Sequence, residues 1–363
     1  MATTNFAVNH PLARKHWSDE LVKEALQQTQ ALKFMGTGSD SIIQVKDDTQ
    51  KGKGDKVTFG LRVQLTGDGV SDDGTLEGNE EALSHYSDSV LLGGLSHAVR
   101  VNNFLGSQRV PFEVRNDAKT ALADWLADRI DAAIFNQLAG ATQTTDTRYT
   151  GSNATIAPEK LLIWDDSADA NHTAESSLSE SDVFTLRHID FCVEKAKTLG
   201  RSGDGACPIR PIKYKGEELY VMFIHPIQRR ALQHKTGATH FYDLQRALLE
   251  GGQGAKQNPI FTGATFMYNN TIVHESTRVP YGQSAAATAK TTYRRAIFCG
   301  AQAATMCFGK GYAGAKANWV EESFDYNREL GVSAQLLYGV KKCQFNAKDF
   351  GVITVPTYAS AAF

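Results

Sequence analysis

The chain has 363 residues, which exceeds the usual size of one compact core, so two lobes or one elaborated domain are expected. Apolar residues make up 42% of the sequence and charged residues 21%, which excludes a wholly disordered chain. The 38 basic and 40 acidic residues give a net charge of -2. A dedicated nucleic-acid-binding protein is therefore not expected, because such proteins carry a basic excess.

No apolar stretch of the sequence has the length of a signal-peptide core or a membrane-spanning helix, so neither is expected. The cysteines are scattered and form no close C-x-x-C pair. We expect free thiols in a reducing cytoplasm. The five cysteines are Cys192, Cys207, Cys299, Cys307 and Cys343.

The N-terminal segment begins polar and then has a patchy helical pattern in SDELVKEALQQTQALKFM. Ser18 is a good N-cap, because its hydroxyl can accept from free amides of the first turn. This segment is predicted to be an arm that packs on its own body or on a neighbour. The positions of the pattern are Trp17, Leu21, Ala25, Leu32 and Lys33.

A two-stranded ribbon is predicted next. Apolar and polar residues alternate from Val57 to Leu65, which is typical of a half-buried strand. Residues 66–80 are rich in Gly and Asp and predict an exposed loop, and residues 84–102 are again β-rich. Since an isolated hairpin is marginal in water, the ribbon needs a partner surface in its own chain or in an adjacent subunit.

A long amphipathic helix is predicted over residues 112–138, about 40 Å in length. Pro111 suits its first turn, and Gly140 is a natural terminator. Its apolar stripe comprises Leu122, Leu126, Ile130 and Ile134, widened by Ala118, Trp125 and Leu138. Charged residues are expected largely away from that stripe, namely Asp117, Lys119, Asp124, Asp128, Arg129 and Asp131.

The remainder of the chain alternates helices and strands. Residues 141–181 are polar, apart from one apolar island at Leu161 to Trp164, and predict a long surface excursion. A helix is expected over 181–199, and a buried strand over 219–226 followed by a helix at IQRRALQ. Further strands are expected in residues 264–276, 294–311 and 332–359.

Motifs for chemistry are weak. The acidic residues of 68–77 lack the alternating ligands and helical flanks of a calcium loop, so a solvated turn is favoured. The glycine-rich segments 52–56 and 36–41 lack the phosphate-binding frame. His225 or His274 could be a catalytic base, but lone histidines are usually structural. Cys192 or Cys299 could be a nucleophile, but lone cysteines are also usually structural. Four basic residues are expected on the solvated surface: Arg294, Arg295, Lys310 and Lys316.

The combination of ribbon and helix motifs closely resembles the major capsid protein family of N-four-type tailed phages. The resemblance is strong over residues 35–140 and fainter in the later strands. The matching segments are TFGL at 58–61, LTGDGV at 65–70, LEGNEEAL at 76–83, HAVR at 97–100 and LADWLADRID at 122–131. Matches at this many spaced positions are far more specific than a single short motif.

The resemblance implies an α+β chain with the HK97-like capsid fold. Its parts would be an N-terminal arm at 1–34, an extended hairpin called the E-loop with flanking strands at 35–110, a spine helix and peripheral domain at 111–200 with a polar insertion at 141–180, an axial domain at 201–316, and a return to the peripheral domain at 317–363.

The implied function is self-assembly, as pentamers and hexamers, into the icosahedral shell that encloses phage double-stranded DNA without sequence-specific binding. No catalysis, cofactor, metal or membrane is implied, and scaffolding, portal and decoration proteins would be separate. The virion would assemble in the host cytoplasm. The implied intersubunit contacts at the E-loop tip are Thr66, Gly67, Asp68, Asp72, Asp73, Leu76, Glu77, Asn79 and Glu80. The implied spine-helix core is Leu122, Trp125, Leu126, Ile130 and Ile134.

Two alternatives remain open on the sequence. One is an encapsulin-type nanocompartment shell of the same fold, which encloses an enzyme instead of DNA. The other is a soluble α+β enzyme with His225 or His274 as its base.

Overall fold

A computed structural model describes residues 29–46, 54–62, 69–72, 74–80, 82, 85–101, 114–165, 170–172, 174–199, 208–214, 216–235, 264–284, 288–310, 317–326 and 328–360. The predicted arm helix with Ser18 as its N-cap lies outside these ranges.

The predicted long helix is confirmed as the main helix of the structure. Its end at Gly140 follows from the backbone, because Gly140 has φ +62° and an added Cβ would lie 2.6 Å from the carbonyl oxygen of Ile156. The α-helices are α1 Val114–Ala139, α2 Thr147–Thr150, α3 Leu186–Thr198 and α4 Pro226–Lys235, with 3₁₀ turns at Leu32–Phe34 and Glu175–Ser177.

The strands are β1 Met35–Gly36, β2 Ile43–Lys46, β3 Lys56–Arg62, β4 His85–Leu91, β5 Gly93–Val101, β6 Trp164–Asp165, β7 Ala170–Asn171, β8 Ile212–Tyr214, β9 Glu217–Ile224, β10 Ala264–Tyr268, β11 Thr271–Glu275, β12 Tyr281–Gln283, β13 Ala289–Cys299, β14 Ala304–Phe308, β15 Ala317–Phe324, β16 Glu329–Lys342, β17 Gln344–Phe345, β18 Lys348–Asp349 and β19 Val352–Tyr358. The strands expected in 219–226, 264–276, 294–311 and 332–359 are all present.

Two sheets organise the described residues. The first has six strands in the order β1-β2-β14-β16-β15, with β5 also paired to β16. The second has seven strands in the order β10-β11-β9-β13-β12, with β19 on β13 and β8 on β9. Helix α1 packs against both sheets, since Leu126 and Ile130 share one apolar cluster with Phe223 of β9 and Val332 of β16.

The apolar strand β9 is buried on both faces of the seven-stranded sheet. Because successive side chains point to opposite faces, Val221 and Phe223 face helix α1, whereas Met222 and Ile224 face helix α3. This double cover explains the continuous apolar run of β9, which lacks the alternation of a half-exposed strand.

The predicted ribbon is confirmed, with one change. Strands β3 and β4 pair antiparallel from Lys56↔Leu91 to Arg62↔His85. The return run 84–102, however, forms two strands, because β5 leaves the ribbon and pairs with β16. The root of the ribbon packs on the body through Val57 and Val90, which share a small apolar cluster with Cys307.

The prediction that residues 141–181 form a surface excursion is confirmed for most of the described residues of the tract, which are exposed or half-buried, but it is wrong for a buried minority. Ile163 and Leu178 are buried with Tyr293. The backbone N–H of Leu162 donates to the carbonyl of Thr354 at 3.0 Å. The apolar island of the tract therefore lines an edge of the seven-stranded sheet, a long-range contact that the sequence does not predict.

Helix α3 begins at Leu186 and not at residue 181 as predicted. The preceding segment forms a turn in which Asp182 accepts from the backbone N–H of Ser179 at 2.7 Å, and Val183 is bridged to Tyr358. These contacts hold residues 181–185 outside the helix.

Each of the two sheets contains strands from both of the predicted ranges 201–316 and 317–363. Strand β14 belongs to the six-stranded sheet with β16, and the C-terminal strand β19 belongs to the seven-stranded sheet with β13. Whether the predicted ranges behave as separate domains stays a prediction.

Candidate intersubunit surface

The described part of the ribbon tip, residues 69–72 and 74–80, is almost wholly exposed. Leu76 has 70% of its surface in solvent. The tip is held by short-range hydrogen bonds: the Asn79 side chain donates to the Thr75 carbonyl at 2.8 Å, and the Gly78 N–H donates to Glu80 at 2.8 Å. The predicted tip residues Asp72, Leu76, Glu77, Asn79 and Glu80 are exposed, whereas Thr66, Gly67, Asp68 and Asp73 lie outside the described residues.

Two polar clamps fix the root of the ribbon to the body. In the first, the buried carboxylate of Asp88 on β4 forms an ion pair with Lys341 of β16 and accepts from the backbone N–H of Gln344 at 3.1 Å. Lys341 lies near the end of β16 and Gln344 begins β17, so the two contacts hold one face of β4 against these neighbouring strands.

In the second clamp, the side chain of Asn153 pairs with the backbone of Leu91 at the end of β4. Its Oδ1 accepts from the Leu91 N–H at 2.9 Å, and its Nδ2 donates to the Leu91 carbonyl at 3.0 Å. The Asn153 carbonyl in turn accepts from the fully buried Gln137 side chain of α1 at 2.7 Å. The ribbon root is thus connected through hydrogen bonds to the long helix.

Four of the predicted helix-core residues, Leu122, Leu126, Ile130 and Ile134, are buried. Trp125 is half-buried and stacks on His97, with ring centroids 4.5 Å apart.

Asp131 was expected to lie away from the apolar stripe, but it is buried. Its carboxylate accepts from the backbone N–H groups of Gln30 at 2.9 Å and Ala31 at 3.3 Å, which fixes the start of the described chain on the helix. Burial raises the pKa of Asp131, and these two hydrogen bonds oppose the rise.

The expectation that Arg295 is solvated is wrong. Only 2% of Arg295 is exposed, and its Nε donates to Glu175 at 2.8 Å. Its Nη1 donates to the Gly140 carbonyl at 2.7 Å, at the C-terminal end of α1, where a cation is favourable. Arg294 is half-buried, Lys310 is exposed, and Lys316 lies outside the described residues.

Both candidate catalytic histidines are buried. His225 Nδ1 accepts from the Ile227 N–H at 3.2 Å, which caps helix α4, and burial followed by the charge of Arg294 lowers its pKa to about 4. His274 packs edge-on against Phe34, with centroids 4.9 Å apart. These contacts are those of structural histidines.

The candidate nucleophiles Cys192 and Cys299 are free and fully buried, and burial raises the pKa of both thiols, which disfavours the reactive thiolate. Cys307 and Cys343 are likewise free and buried, while Cys207 lies outside the described ranges.

The acidic tip has no metal-binding geometry in its visible part. Across the residues that the structure describes, no three His, Cys, Asp or Glu side chains are grouped to hold a metal ion. None of the helices in those same ranges combines the length and hydropathy that crossing a membrane requires.

The clamp residues Asp88, Asn153 and Lys341 were not predicted. Asn153 lies in a tract whose polar composition indicates surface, and its partner Leu91 is 62 residues away. Burial of a polar side chain beside a strand end would have indicated a clamp residue, but the burial of a residue cannot be determined from a single sequence.

Comparison with known proteins assigns the fold and the family. A model of the family described as phage capsid protein matches residues 5–361. The major capsid protein of Pseudomonas phage KPP25 is 29% identical, over 97% of this chain and 96% of that protein. The capsid protein of Ralstonia phage GP4 superposes with a TM-score of 0.79 at 28% identity, over the whole of both chains. That of Cyanophage Pam1 superposes with a TM-score of 0.71 at 21% identity, over 99% of this chain and all of that one.

These similarities confirm the predicted α+β, HK97-like capsid fold and the resemblance to phage capsids. The chain belongs to the phage capsid protein family, and its function is that of a major capsid protein.

Proposed function

We propose that copies of this capsid protein assemble without covalent links as the pentamers and hexamers of an icosahedral shell, and that the ribbon tip of each copy lies on a neighbouring copy. The tip comprises the nine residues Thr66, Gly67, Asp68, Asp72, Asp73, Leu76, Glu77, Asn79 and Glu80.

The observation that carries the proposal is the contrast between the two ends of the ribbon. The root is packed and clamped, at Val57, Val90 and Asp88. Towards the tip, Tyr86 on β4 and Leu76 beyond it are exposed. A two-stranded ribbon is marginal without a surface to cover it, and a second copy is the surface that shell assembly supplies.

We infer that the shell encloses double-stranded DNA without sequence-specific contacts, since the net charge of -2 offers no excess of cations for gripping phosphates. Scaffolding, portal and decoration functions belong to separate proteins in this proposal. Assembly takes place in the bacterial cytoplasm, where the buried free cysteines stay reduced. The proposal assigns no catalytic role to the chain.

Deletion of residues 67–78 tests the tip contact. The variant should fold, because the ribbon root and both sheets are untouched, but closed shells should be lost in electron microscopy. Circular dichroism and the Tm of the free subunit are the folding controls. Normal particles from the deleted chain would contradict the proposal.

A single substitution sharpens the test. Leu76→Asn should weaken each tip contact by about 2 kcal/mol, the transfer free energy of one leucine side chain. Leu76→Met is the matched control, since it keeps the apolar character and nearly the volume. Particle yields that are equal for the two variants would exclude Leu76 as a contact.

A further inference from the structure

The turn between β15 and β16 carries an exposed aromatic side chain, that of Tyr326, which does not pack on the described residues of its own chain. The two strands pair from Ala317↔Leu336 to Phe324↔Glu329, and β5 pairs along the other side of β16 as far as Leu330. The result is a three-stranded finger. In the turn that joins Phe324 to Glu329, Tyr326 is fully exposed, at 101% of its reference surface.

The backbone of this turn is unfavourable for tyrosine. Asp325 has φ +49° and Tyr326 has φ +50°, so both lie in the left-handed region. Asp and Asn tolerate that region because their short side chains bond locally, whereas a residue with a bulky Cβ substituent is disfavoured there. Gly or Asn at position 326 would make a more stable turn.

The contacts near the turn join charged and aromatic side chains of the finger to one another, and none of those described below involves the Tyr326 ring. Arg100 lies over the ring of Phe324, 4.4 Å from its centroid, and forms an ion pair with Glu329. The Nη1 atom of Arg328 lies 3.4 Å from the Oδ2 atom of Asp325, which makes a second ion pair at the turn. Among the described residues, Tyr326 has no hydrogen bond, ion pair or ring contact that would offset its backbone conformation.

We propose that Tyr326 is an anchor residue that becomes buried against a second copy of this chain when the shell forms. Left-handed backbone alone does not mark a functional position, since Ala347 has φ +56° as well, but at Tyr326 it coincides with a fully exposed aromatic ring. An aromatic anchor surrounded by charged groups is also the usual composition of an interface centre and its rim. The rim around Tyr326 carries both signs of charge, so the same surface on two identical chains can pair opposite charges. The rim residues are Arg100, Asp325, Arg328 and Glu329.

The partner is a second copy of this chain because the chain is a major capsid protein, whose surfaces meet further copies of itself. The inference rests on that family function. It does not depend on the ribbon-tip contact, which involves a different hairpin.

The decisive variant is Tyr326→Asn, because folding and assembly should respond in opposite directions. Asn relieves the left-handed backbone, so the Tm of the free subunit should rise by about 2 °C. Loss of the ring should weaken each contact roughly tenfold and reduce the yield of closed particles. A residue with only a structural role would show lower stability together with lower assembly.

Ala347→Asn is the matched control. Ala347 has φ +56° in the turn between β17 and β18 and is exposed. The substitution should raise the Tm in the same way while leaving particle yield unchanged. Tyr326→Phe should assemble like the wild type, since it keeps the ring.

Thiol labelling gives an independent readout. The cysteines at 192, 299, 307 and 343 are buried, and the unmodified chain sets the background from Cys207. In Tyr326→Cys, a maleimide should label free subunits, and labelling should be lost in particles formed with an excess of the unmodified chain. Equal labelling of particles and free subunits, or normal particle yield from Tyr326→Asn, would overturn the proposal whatever the result of the ribbon-tip deletion.

Discussion

The side chain of Asn153 forms a two-point hydrogen-bonded pair with the backbone of Leu91, at 2.9 and 3.0 Å. A side-chain amide here replaces a neighbouring strand at the end of β4. Since Gln137 of α1 donates to the Asn153 carbonyl at 2.7 Å, the root of the ribbon is linked to the long helix through Asn153.

Replacing this amide should loosen the ribbon while the sheets remain folded. Asn153→Leu removes both hydrogen bonds to Leu91, and the unsatisfied backbone groups should cost about 1–3 kcal/mol of subunit stability. Hydrogen exchange should quicken at β3 and β4 and stay slow in β9. Unchanged exchange in the ribbon would show that Asp88 and Lys341 hold it alone.

The buried pair of Arg295 and Glu175 should be costly to break from one side. Arg295→Met leaves the Glu175 carboxylate without its cation and removes one of the two donors to the Gly140 carbonyl, with an expected loss of about 3–5 kcal/mol. Denaturant unfolding of the free subunit measures the loss.

The double variant with Glu175→Gln is the control for this pair. It removes the uncompensated charge, so it should recover part of the lost stability. Equal stability of the single variant and the wild type would mean that the pair contributes nothing.

Periodic patterns in the sequence were sufficient for the long helix and the ribbon, because the spacing of apolar residues along each segment indicates its secondary structure. Leu122, Leu126, Ile130 and Ile134 could be placed on one face in this way. Residues whose environment comes from distant segments could not. Asp131 is buried by a partner 101 residues away, and Arg295 by one 120 residues away.

Of the candidate assembly surface, the ribbon tip could be predicted from the sequence and Tyr326 could not. The exposed, acidic tip followed from composition, and its use followed from the family resemblance. Tyr326 has no sequence signal, since its strain is a matter of backbone conformation and its exposure a matter of where the hairpin turns.

The apolar stripe of α1 allows a direct test of the core. Leu126→Asp places an unpaired charge in a fully buried site and should abolish soluble folded subunit. Leu126→Ala should fold with a loss of about 2–5 kcal/mol, since it leaves a cavity. Asp124→Ala, on the exposed face of the same helix, is the matched control and should melt like the wild type.

His225 should make the subunit less stable as the pH falls from about 6.5 towards about 4. Burial lowers the pKa of the folded-state imidazole to about 4, whereas the unfolded chain takes up its proton near 6.5. The unfolded state therefore binds more protons in this window, and the stability lost reaches about 3 kcal/mol once both states are protonated. His225→Asn isolates the effect, because an Asn side chain can still accept from the Ile227 N–H as a helix N-cap but does not titrate. The Tm of the wild-type subunit should fall relative to that of His225→Asn between pH 7 and pH 4, and parallel curves would refute the assignment.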